Sequence, residues 1–144
     1  MTDKMLEAFD GTRTAGAIAS SALDEVTKII RPGIKTDEID KLCYEFINDN
    51  GAYSAPLFYR GFPKSCCTSP NHTVCHGIPK DKILKEGDIL NVDVTSLKNG
   101  WHGDTSRMYF VGEVSTKAKK LVNTTYQACL LYTSPSPRDL STAR

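Results

Sequence analysis

Two β-rich runs separated by Asn99-Gly100 constrain this chain more than any other feature. Ile89 to Ser96 is rich in Ile, Leu and Val, and Trp101 to Val111 returns after the Asn-Gly pair. Asn-Gly tolerates the left-handed backbone that both central positions of a two-residue turn require, so the spacing predicts a β-hairpin. With the turn centred on the pair, Lys98 faces Trp101 and Asp93 faces Ser106. Asp104 lies two positions from Ser106 on the same face, a diagonal neighbour of Asp93 at about 7–8 Å. A longer turn or a bulge would alter this register.

The two faces of the hairpin differ. Asn91, Asp93, Thr95 and His102 share one; Leu90, Val92, Val94, Trp101 and Tyr109 share the other. Two Asp this close repel unless a cation or a proton lies between them, so the polar face suits a metal site. A solvent-facing strand pair with turn-stabilising acids fits the hairpin alone as well. His76 follows Val74-Cys75 and precedes Gly77. It is either a packing residue or a hydrogen-bond donor to a reacting carbonyl. A structural zinc site from Cys66, Cys67, Cys75 and His76 is poorly spaced, because no Cys-x2-Cys unit exists and adjacent Cys66 and Cys67 alternate faces on a strand. That alternation aims one of the two at a pocket. Nucleophilic Cys chemistry lacks an identifiable Cys-His pair with an orienting third group.

Around the hairpin the pattern is α+β. Residues 5–30 read as a helix, with Met5, Leu6, Phe9, Ala15, Ile18, Ala19, Ala22, Leu23, Val26, Ile29 and Ile30 at helical spacing. Gly11 and Gly16 weaken its first half, and Arg31-Pro32-Gly33 stops it. Thr36 is the expected N-cap of a second helix with the stripe Ile39, Leu42, Cys43, Phe46 and Ile47, ending at Asn50-Gly51. Residues 52–64 form an aromatic loop suited to a pocket wall or a packed connection. Cys66–Ser69 and Thr73–Cys75 are two expected short strands, Lys85–Asp88 a turn, and Ser115 the cap of a last helix. From Thr133 onward the sequence is TSPSPRDLSTAR, with little to bury. It resembles translated adapter sequence, so residues 1–131 are expected to be the domain and 132–144 a non-native or disordered tail.

Composition narrows the class. Eighteen Lys and Arg against seventeen Asp and Glu give a net charge of +1, which argues against a basic nucleic-acid binder. No apolar run approaches membrane-spanning length. The N-terminus has neither secretory nor transit layout, and five Cys suit a reducing cytoplasm.

SCCTSPNHTVCHGIP at 65–79, followed by GDILNVDVTSLKNGWHGDTSRMYFVG at 87–112, resembles type I methionine aminopeptidase, of metallopeptidase family M24. The resemblance runs from about residue 3 to residue 131. It implies the first half of a pita-bread (creatinase/aminopeptidase) fold, an antiparallel sheet with flanking helices around a dinuclear metal centre. It implies metal-dependent removal of N-terminal Met from nascent chains near the ribosome, by a monomeric cytoplasmic enzyme. Manganese, iron, cobalt or zinc would suit the carboxylate and imidazole donors. Asp93 and Asp104 match metal ligands, the latter the bridging one. His76 matches a substrate-contacting His that stabilises the tetrahedral intermediate or the leaving nitrogen. Tyr59, Phe62 and Cys67 match the wall of the Met pocket, and Thr95 a supporting position. Asn71 and Thr73 match a loop that holds a monovalent cation in some relatives. The family's remaining ligands, one His and two Glu, lie in the second half of its fold. All three His here stand at 72, 76 and 102, and the only acids after Asp104 are Glu113 and Asp139. The chain alone is therefore expected to be nearly inactive. The alternatives are a non-catalytic pita-bread protein-binding module and a related aminopeptidase that cleaves before proline.

Overall fold

The computed structural model describes residues 2–133. Residues 134–144, which hold most of the expected tail, lie outside the described residues. The chain divides into two compact units, Met1–Glu113 and Val114–Arg144.

In the first unit, helices α1 (Asp3–Ile29) and α2 (Thr36–Asp49) precede strands β1 (Tyr53–Ser54), β2 (Cys67–Pro70), β3 (Ile89–Lys98) and β4 (Trp101–Phe110). β3 is central and every pairing is antiparallel: β4 lies along one edge, β1 and β2 along the other. The β3–β4 register is the one the Asn-Gly turn predicts, with Lys98 opposite Trp101, Thr95 opposite Asp104 and Asp93 opposite Ser106. Asn99 and Gly100 both take positive φ, 50° and 84°, as the tight turn demands.

Both helices pack on one face of the sheet. Leu90, Val92, Val94 and Tyr109 meet Ala19, Ala22, Leu23 and Val26 of α1 and Ile39, Cys43 and Ile47 of α2 in a single buried core. The stripe expected for α2 is thus its buried side, with Leu42 and Phe46 at the core's margin. Of the two glycines that weaken α1, Gly11 has a packing role, and Gly16 lies where Gly103 of the sheet comes closest. A Cβ on Gly11 would fall 2.2 Å from the Trp101 ring, and one on Gly103 would fall 2.1 Å from the Gly16 backbone nitrogen. Helix and strand backbones therefore touch at Gly16 and Gly103, and the Ser96 hydroxyl donates to the Ala15 carbonyl beside that contact at 2.7 Å.

Several local expectations change. Met5, Leu6 and Phe9 extend the apolar pattern of α1 but are exposed. Thr36 is the first residue of α2 rather than its cap, which is Lys35. The Thr36 hydroxyl donates to the Lys80 carbonyl at 2.8 Å and accepts from the Lys80 N–H at 3.0 Å, so a tertiary contact has claimed it. The Glu38 carboxylate reaches back to the Lys35 N–H at 2.9 Å and satisfies the helix start instead. Residues 73–75 form no strand, and Val74 is 94% exposed. The edge of β2 is met by Gly77, whose carbonyl accepts from the Thr68 N–H at 2.8 Å. Within the aromatic loop, Tyr53 and Ser54 join the sheet and Tyr59–Gly61 form a 3-10 turn.

The second unit contains α3 (Thr116–Thr133). Ser115 caps it as expected, its hydroxyl accepting from the Ala118 N–H at 3.2 Å. No helix among the described residues is long and apolar enough to cross a membrane.

Candidate metal and substrate site

The sheet face opposite the helices carries the odd-numbered residues of β3 and the even-numbered residues of β4. A cavity of about 830 Å³ opens above it, within the range of small-ligand sites. Asp93, Thr95, His102 and Asp104 line it from the sheet. Cys67 joins them because β2 places it opposite Asp93. Pro56, Tyr59, Arg60, Phe62 and Pro63 line it from the aromatic loop, and His76 and Ile78 from the segment after β2.

The loop reaches the cavity by an unusual backbone path. Phe58 and Arg60 both take positive φ, 66° and 48°, around Tyr59. The Phe58 N–H donates to the Phe62 carbonyl at 2.7 Å, and the Phe62 N–H to the Tyr59 carbonyl at 2.9 Å. This compact turn presents Tyr59 and Phe62 together, and Arg60 lies with its guanidinium 5.5 Å from the Tyr59 ring centre.

The entry to β2 is held from α2. Asp40 is buried, and its Oδ1 accepts from the Ser65 N–H at 2.8 Å, the Ser65 hydroxyl at 2.9 Å and the Cys66 N–H at 3.2 Å. Lys64 bridges to Asp37 at 2.7 Å and to the other oxygen of Asp40 at 3.7 Å. These contacts set the alternation that follows: Cys66 is buried in the core beside Cys43, and Cys67 turns to the cavity.

Asp93 and Asp104 interact directly. Burial, then the Asp104 charge, then a hydrogen bond with Asp104 push the Asp93 carboxyl above its ordinary range, while His76 pulls the other way. Two carboxylates that crowd each other in a half-buried cavity favour a cation between them. Their hard oxygen donors suit a divalent ion. The number of donors is short: no group of three or more His, Cys, Asp and Glu among the described residues could hold a metal. The Cys67 thiol is pushed up to about 11, first by burial and then by the charges of Asp93, Cys75 and Asp104, so the reactive thiolate is scarce near neutral pH.

The cavity thus unites seven residues singled out in the sequence: Tyr59, Phe62, Cys67, His76, Asp93, Thr95 and Asp104. Asn71 and Thr73 are not among its lining residues. The Asn71 side chain instead joins its loop to the start of β3, donating to Asp88 at 2.9 Å and accepting from the Ile89 N–H at 3.1 Å. Pro56 and Pro63 line the cavity from the loop at 52–64 expected to suit a pocket wall; Arg60, within the same loop, and Ile78 were not singled out, and the proximity of Arg60 to Tyr59 and Phe62 was the available signal.

Comparison with known proteins identifies the family of the chain. The methionine aminopeptidase of Rickettsia prowazekii is 53% identical over 122 residues, which are 85% of this chain and 47% of that protein. Methionine aminopeptidase 2 of Mycobacterium tuberculosis is 46% identical over 124 residues, 86% of this chain and 44% of that protein. The crystal structure of the Rickettsia prowazekii enzyme superposes with a TM-score of 0.84 at 52% identity, covering 89% of this chain and 50% of that one. The chain spans about half the length of these relatives. Residues 10–133 match metallopeptidase family M24, and the chain belongs to that family.

Proposed function

We propose that the chain is the first half of the catalytic domain of a methionine aminopeptidase, an enzyme that removes the N-terminal Met from newly made proteins in the cytoplasm. The observation that carries this is one cavity holding both the Asp93–Asp104 pair and an apolar wall of Tyr59, Phe62 and Cys67. The acidic pair suits divalent ions such as manganese, iron, cobalt or zinc, and the wall suits the unbranched thioether of Met. Bound cations would supply Lewis-acid activation of the scissile carbonyl and of the attacking water.

The chain's own residues have separate tasks. Asp93 and Asp104 hold negative charge where cations and the substrate's free ammonium group gather. Thr95, opposite Asp104 across the strands, supports the site from beside the pair. His76 donates a hydrogen bond to the oxygen or nitrogen that gains charge as the peptide bond breaks. Tyr59 and Phe62 keep water from the Met side chain. The carbonyls of Asn71 and Thr73 form a loop for a monovalent cation, remote from the reacting atoms.

Two measurements test the assignment. Titration with Mn²⁺ gives weak binding to this chain and none to Asp93→Asn or Asp104→Asn; equal binding by all three would refute the metal assignment. On a Met-Ala-Ser peptide this chain alone turns over far below the usual range of about 1–10³ per second, because displacing an active group by about 1 Å costs roughly a hundredfold. The same chain joined to the remaining half of a relative releases Met, and its Asp93→Asn form does not. A folded, metal-loaded joined protein without Met release would overturn the proposal.

A further inference from the structure

We infer that Ser69 is a positioning residue for His76, acting through the peptide group between His76 and Gly77. His76 lies in neither helix nor strand, yet its φ is +53°, a left-handed conformation that L-residues rarely adopt without being held. The hold comes from the next residue. The Gly77 N–H donates to the Ser69 hydroxyl at 3.1 Å, and the Gly77 carbonyl accepts from the Thr68 N–H at 2.8 Å. Gly77 also lies so near β2 that a Cβ would fall 2.1 Å from the Thr68 carbonyl oxygen and 3.1 Å from the Ser69 Cα.

These contacts have different consequences for His76. The Thr68 bond fixes the far side of Gly77. The Ser69 bond fixes the plane of the 76–77 peptide, and with it the rotation about the Cα–C bond of His76. Ser69 is 3% exposed, and its β2 position faces Asn91, two residues from Asp93 on the same face. The hydroxyl therefore refers the backbone of His76 to the strand that carries the first Asp. The functional weight of this placement rests on the aminopeptidase assignment above. The placement itself is conformational and is tested without activity.

The experiment uses the whole chain with isotope-labelled His and backbone amides. In Ser69→Ala, Gly77 amide exchange rises about tenfold, the loss expected for one hydrogen bond. His76 resonances move away from their wild-type positions, while those of His72 and His102 stay. Ser69→Thr keeps an oxygen at the same place and restores both signals. Ser69→Gly removes the same hydroxyl and reads the same two signals, and it decides the question if Ser69→Ala does not fold. The inference is overturned if the folded Ser69→Ala leaves Gly77 exchange and His76 unchanged, or if either variant moves all three histidines alike. Met release by the joined protein can fail with these signals intact, so the two proposals fail separately.

Discussion

Asp40 gives the sharpest prediction, because one oxygen satisfies so many groups. Its Oδ1 accepts from the Ser65 N–H, the Ser65 hydroxyl and the Cys66 N–H, and both donor residues are buried. Asp40→Ala leaves two backbone N–H groups without a partner, at about 1–3 kcal/mol each before water relieves part of the cost. A total near 3 kcal/mol is expected. Against a typical domain stability of about 5–15 kcal/mol, that is a large share. Asp40→Asn keeps an acceptor oxygen and loses only the charge that faces Lys64, so about 1 kcal/mol is expected. Urea unfolding followed by the fluorescence of Trp101, the single tryptophan, reads the difference. With a slope of about 1–3 kcal/mol per molar, the Ala variant unfolds roughly 0.7–2 M below the Asn variant. Equal midpoints for the two variants would show that the oxygen's hydrogen bonds do not hold this junction.

Gly103→Ala is expected to cost about 3 kcal/mol, since the added Cβ meets helix backbone rather than a movable side chain; a normal melting curve would contradict this. Gly100→Ala, at φ 84°, should cost about 1 kcal/mol by the same assay without affecting the cavity. Lys64 has its pKa raised above 10.5, first by its hydrogen bond to Asp37 and against the effect of burial. A raised folded pKa adds stability that is full below the unfolded value and is lost as pH rises through the folded value. Lys64→Met should therefore be about 0.5–1 kcal/mol less stable at neutral pH, and the gap should close in alkaline urea titrations above the ordinary lysine range. A gap that persists there would mean that lost packing, not charge, explains it.

What could be read from the sequence was what local chemistry decides. The Asn99-Gly100 turn and strict alternation set the β3–β4 register, and with it the shared face of Asp93 and Asp104. The α2 stripe was legible because Ile39, Cys43 and Ile47 repeat at helical spacing. Long-range contacts were not legible. Thr36 has the residue type of a cap, but a segment more than forty residues away takes its hydroxyl. Thr73–Cys75 has strand propensity, yet Gly77 takes the edge of β2 because only a residue without a side chain fits there. In the cavity, the backbone path of the aromatic loop was not legible, because it runs through left-handed steps at Phe58 and Arg60. Propensity assigns such conformations to Gly or Asn, so nothing local marks them.

The meeting of Gly16 with Gly103 bears on how tightly the acidic pair is held. Most helices rest on a sheet through side chains, which can change rotamer and absorb a small displacement. Here two backbones meet without that cushion, one residue before Asp104. The main chain beside Asp104 therefore rests on helix backbone itself. Asp104 is thus registered against the helix as a stone is against its bedding joint, and its mate Asp93, opposite Ser106 on the next strand, inherits the same datum.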